Sequence, residues 1–76
     1  MKLSNAIAIG KEGKWIEAEV RKNPSDQCQW FVMLRGRDHK PFILADDEDT
    51  PITLNDLDSI SDLIQSIGVK EFKVFL

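Results

Sequence analysis

Cys28 and His39 are the only cysteine and histidine in this 76-residue chain, so any thiol nucleophile and imidazole base would have to be built from them. A thiol attacks as its thiolate, which forms at neutral pH beside a helix N-terminus or a basic neighbour. Cys28 opens the apolar run Cys28 to Arg35, where alternation reads it as a small buried hydrophobe. His39 falls in the turn Gly36-Arg37-Asp38-His39-Lys40, and no third group is placed to orient it. One cysteine allows no disulfide within the chain, and four-ligand structural zinc needs more Cys and His than exist here. Asp46, Asp47, Glu48 and Asp49 form an acidic run without the glycine turn and distal glutamate of an EF-hand loop. That run reads as a solvated loop steering a basic partner, not as a metal site. Asp56, Asp58 and Asp62 read as solvent-facing helix charge. With no Gly-rich phosphate loop, nucleophile elbow or HExxH, the expectation is a non-enzyme using neither metal nor cofactor.

The elements that would position these residues follow from periodicity. Leu3 to Ile9 alternates and reads as a first strand, with a hairpin turn over Gly10-Lys11-Glu12-Gly13-Lys14. Trp15 to Arg21 alternates as a second, with Ile16, Ala18 and Val20 on one face. Asn23-Pro24-Ser25-Asp26 is a turn, because Pro presets φ and its neighbours bond the local backbone. Cys28 to Arg35 and Pro41 to Ala45 make the third and fourth strands. Thr53 is placed to cap a helix whose stripe is Leu54, Leu57, Ile60, Ile64 and Ile67, widened by Leu63. Gly68 suits the left-handed residue that ends it. Lys70 to Leu76 is the fifth strand. The expected fold is therefore a single α+β domain over 1–76. It has a five-stranded antiparallel sheet in β-β-β-β-α-β order, spatially 5-1-2-3-4, with one helix on one face.

Such a sheet leaves one face uncovered. If Ile16, Ala18, Val20, Trp30, Val32, Leu34, Phe72 and Val74 meet the helix, then Trp15, Phe31 and Met33, with Phe75, lie on the other. Arg21 and Arg35 sit among them. Trp, Phe, Met and Arg are the residues enriched where proteins touch, so Trp15, Phe31, Met33, Arg21 and Arg35 are the candidate partner contacts. Chain size points the same way. A domain this short buries only about 60% of its unfolded surface, and association is a usual supplement. A homodimer or an accessory regulatory protein with a protein partner is the resulting expectation.

Nucleic acid is the alternative, since aromatic and Arg or Lys side chains on a sheet can stack bases and hold phosphates. At the level of fold, β-β-β-β-α also resembles small single-strand-binding modules that pair into dimers. The net charge of −3 and the glutamates beside Trp15 weigh against it. Charge is uneven: residues 1–40 hold eight basic and five acidic side chains, residues 41–76 two and eight. The 42% hydrophobic and 30% charged composition excludes collagen-like, low-complexity and disordered chains. The longest apolar stretches, such as Trp30 to Leu34, are too short for a membrane span, and a cytoplasmic location is expected.

Overall fold

The computed structural model describes residues 1–75, with the backbone alone at Gln27; Leu76, expected to end the last strand, lies outside the described residues. The elements are α1 (Leu3–Lys11), β1 (Trp15–Asn23), β2 (Asp26–Gly36), β3 (Pro41–Ile43), β4 (Thr53–Leu54), α2 (Leu57–Ile67) and β5 (Phe72–Phe75). The result is a small α+β fold with a five-stranded sheet and two helices.

The first correction falls on Leu3 to Ile9, which is helix and not strand. Leu3, Ala6, Ile7 and Gly10 satisfy helical spacing as well as Leu3, Asn5, Ile7 and Ile9 satisfy alternation. Packing decides between them. Ala6 is fully buried, and Gly10 lies where an added Cβ would run into the Ile67 carbonyl of α2. Small residues thus let α1 cross closely over the end of α2. Gly68, at φ 95, supplies the matching surface beneath the Gly10 carbonyl. The segment Gly10 to Lys14 therefore ends a helix and does not make a hairpin; Gly10 lies in its last turn, and Gly13 takes φ 69 in the turn to β1.

With the first segment helical, the β1 edge is vacant and β5 occupies it. The sheet order is β3-β2-β1-β5, with β4 also on β2. β5 runs parallel to β1 while the other pairs are antiparallel, so the sheet is mixed, not purely antiparallel, and the order is not 5-1-2-3-4. β1 and β2 join through the expected turn, where Asn23 Oδ1 accepts from the Ser25 N–H at 3.0 Å. β3 and β4 follow one another along the far edge of β2. Between them the acidic loop leaves and returns, closed by the Ala45–Pro51 bridge and the Ile52 N–H donating to the Leu44 carbonyl at 3.0 Å.

Thr53 belongs to β4, and the cap of α2 is Asp56. Its carboxylate accepts from the Ser59 N–H at 2.7 Å and from the Ser59 hydroxyl at 3.0 Å, which holds it below the usual carboxylate range. Ile60, Ile64 and Ile67 are the buried stripe, whereas Leu57 is exposed. Gly68 ends the helix in the left-handed region, and Val69 folds back with its N–H on the Ile64 carbonyl. The core joins Ala6 of α1 and this stripe to Ala18, Val20, Val32, Leu34 and Leu44. Both helices thus cover the same side of the sheet. No helix among the described residues is long and apolar enough to cross a membrane.

Candidate interaction face

Register fixes which side chains share the helix-free face. Opposite residues point the same way, so the inward pairs Ala18–Leu34 and Val20–Val32 place Glu17–Arg35, Glu19–Met33 and Arg21–Phe31 outward. β5 adds Lys73 beside Glu19 and Phe75 beside Arg21. β3 adds Ile43 beside Met33, and β4 adds Thr53 beside Phe31. Four of the five expected contact residues, Phe31, Met33, Arg21 and Arg35, therefore lie together.

Trp15 does not. Its partner is Gly36 while Glu17 pairs with Arg35, so Ile16 is an extra residue that breaks the alternation. The bulge turns Trp15 to the helix side and leaves Ile16 53% exposed. Trp15 Nε1 donates to the Ala6 carbonyl of α1 at 2.9 Å, and its ring meets Phe42 edge-on at 6.1 Å. It lines a cleft of 380 Å³ with Ile9, Phe42, Lys14 and Arg37. The placement of Trp15 on the uncovered face is thereby corrected.

At the centre of the helix-free face stands Glu19, only 4% exposed although no element covers it. One carboxylate oxygen accepts from Arg35 Nε at 2.8 Å and the other from Arg21 Nη2 at 3.1 Å. The hydrogen bond from Arg35, then the charges of Arg35 and Arg21, hold its pKa below the ordinary 4.5 against the opposing effect of desolvation. Arg35 also approaches Glu17 at 3.8 Å and donates to the His39 carbonyl at 3.1 Å. The Arg21 guanidinium lies 4.2 Å above the Phe75 ring. Around this ion cluster stand Phe31, Met33, Ile43 (45% exposed) and Phe75 (38% exposed). A hollow of 360 Å³ opens at one end between Phe31, Ile43, Pro51 and Pro24.

Alternation in the sequence marks Glu19 as outward but gives no sign that it is desolvated. That emerges only when Arg21 and Arg35 close over it from two strands. Ile43 was detectable as the odd member of the short run Pro41 to Ala45.

Cys28 is exposed, contrary to the buried hydrophobe expected; it lies where the β1–β2 register breaks between the Lys22–Trp30 and Asn23–Asp26 pairs, so the alternation of the strand does not carry through to it. His39 adopts φ 62 in the turn at the opposite end of β2. Cys28 and that turn are separated by roughly 26 Å of extended strand, at 3.3 Å per residue, so the two side chains do not meet. In the acidic loop, Asp46 Oδ1 accepts from the N–H groups of Glu48 and Thr50, and Asp47 accepts from the Ser4 hydroxyl at 3.1 Å. All four acidic residues there are exposed. No family model matches the chain, and neither does any curated protein.

Proposed function

We propose that this domain acts by binding and not by catalysis, contacting a protein partner through its helix-free sheet face as an accessory or dimeric regulatory protein of the cytoplasm. One observation carries the reading: Phe31, Met33, Ile43 and Phe75 surround a Glu19 whose charge is already balanced by two arginines. Burying an apolar surface is favourable, and burying an unpaired charge is not. Here a partner can cover the apolar side chains without stranding the carboxylate. Phe31 and Met33 are the anchors, Arg21 and Arg35 the polar contacts, and the loop Asp46 to Asp49 favours a partner with a basic margin.

Single-stranded nucleic acid is the second reading, supported by the stacked Arg21–Phe75 pair beside Phe31. It is the weaker one because Arg21 and Arg35 spend their charge on Glu19 and Glu17. The two are separated by capture and titration with wild-type and Phe31→Ala/Met33→Ala proteins of equal helicity. We expect a specific protein captured by the wild type and lost with the double variant, with flat anisotropy for a labelled oligonucleotide. Equal capture by both proteins would sink the assignment. Oligonucleotide binding that weakens steeply with salt would replace it with the nucleic-acid reading.

A further inference from the structure

Gly36 has no conformational reason to be glycine. Its φ lies outside the left-handed region that Gly13 and Gly68 occupy, and an added Cβ would meet nothing closer than 3.4 Å. It is the strand partner of Trp15, and facing residues of an antiparallel pair share a side of the sheet. A side chain at 36 would therefore grow against the indole, its first carbon already 3.9 Å from the Trp15 ring. What the missing side chain provides is open space beside that ring. This space belongs to the cleft that Trp15, Gly36, Phe42 and Ile9 line on the helix side of the sheet.

We propose that this cleft binds a small aromatic carboxylate with a body of two fused rings. Size, shape and charge select that class. An apolar cavity of about 150 Å³ holds one benzene ring, so 380 Å³ has room for two. Trp15 and Phe42 meet at 66° with centroids 6.1 Å apart, a corner in which a further ring can stack on one wall and meet the other edge-on. The hydrogen bond from Trp15 Nε1 to the Ala6 carbonyl fixes one wall beforehand, which lowers the ordering cost of binding. At the rim stand Arg37, Lys14 and Asp38, two cations to one carboxylate. Lys14 already pairs with Glu12 at 2.7 Å, and Asp38 Oδ1 accepts from the Lys40 N–H at 3.2 Å. Arg37 is in no ion pair among the described residues, and its planar fork matches a carboxylate. The cleft and the helix-free face lie on opposite sides of the sheet, so this inference goes beyond the partner-binding reading and stands without it.

The test titrates isotope-labelled protein with naphthalene-2-carboxylate and, separately, with its uncharged carboxamide, followed by two-dimensional NMR. The carboxylate should shift the Trp15 indole N–H and the Gly36 and Phe42 amides, saturating with a dissociation constant below about 1 mM. The carboxamide should bind about fivefold more weakly, as expected for loss of one exposed ionic contact. Arg37→Gln, in an exposed turn, should weaken the carboxylate by the same factor and leave the carboxamide unchanged. Gly36→Val should fill the cleft and abolish both responses while signals elsewhere keep their positions; if that variant does not fold, Arg37→Gln still decides. Phe31→Ala/Met33→Ala should bind as the wild type does. The proposal is overturned if neither compound shifts the cleft signals, if the two bind equally, or if Arg37→Gln binds the carboxylate normally. Binding by a folded Gly36→Val protein, or shifts centred on Phe31 and Phe75, would overturn it as well.

Discussion

Replacing Glu19 with glutamine tests whether the ion cluster on the sheet stabilises the fold or only decorates it. The change keeps shape and one acceptor but removes the charge that Arg35 Nε and Arg21 Nη2 approach at 2.8 and 3.1 Å. Hydrogen bonds to a charged group contribute about 1.5–3 kcal/mol each when dry. The arginine side chains are 39% and 30% exposed, so water recovers part of that, and about 2 kcal/mol for the pair is a fair figure. A chain of this size has about 4–11 kcal/mol in total, so the loss is large. It corresponds to a fall in Tm of about 8–16 °C. The pH dependence is the sharper test. Glu19 titrates lower in the folded protein than its ordinary 4.5, so its stabilisation is complete above that value and is lost as pH falls through the folded pKa. Urea melts followed by circular dichroism should show the full gap between wild type and Glu19→Gln at neutral pH. The gap should narrow as pH falls below 4.5 and through the folded pKa, as the wild-type carboxylate takes up its proton. Equal midpoints at neutral pH, or a gap that does not change with pH, would refute the electrostatic account.

Gly10→Ala should destabilise by about 1–3 kcal/mol, because the new methyl meets the Ile67 backbone and α1 must retreat from α2. A lower urea midpoint with an unchanged slope checks it, and a neutral result would mean the helices do not cross this closely. His39→Gly should stabilise by about 0.5–1 kcal/mol by relieving the left-handed backbone at φ 62, offset partly by chain entropy. Its thermal midpoint should rise, and a fall would show that the imidazole makes a contact worth more than the strain.

How much of this was legible in the sequence depended on whether local pattern and tertiary packing agreed. β1, β2, the turn between them and the core of α2 show a single clear period each, and Gly68 ends α2 as its position suggests. Leu3 to Ile9 fits two periods at once, and the choice is made by the close crossing at Gly10, which involves Ile67 far along the chain. That one difference removed a strand, seated β5 next to β1 and made the sheet mixed. β4 spans only Thr53–Leu54, too little to carry a period, and lies where a hydroxyl before an apolar run resembles a helix cap. The alternation placed Phe31, Met33, Arg21 and Arg35 on one face but misplaced Trp15 and Ile16, because a bulge is one unpaired residue and leaves alternation intact on the page.

The parallel partnership of β1 and β5 also imposes an order of assembly. β1 can find β2 through a turn closed by Asn23 and Asp26, but Phe72 reaches Ala18 only after α2 has carried the chain back. Closing a gap of roughly fifty residues costs about 3–4 kcal/mol of chain entropy, recovered only when the last strand zips in. A nascent chain therefore holds its central hairpin with one flank open until the final segment arrives. During that interval another strand can take the place, which makes late docking the step where folding and misassembly compete.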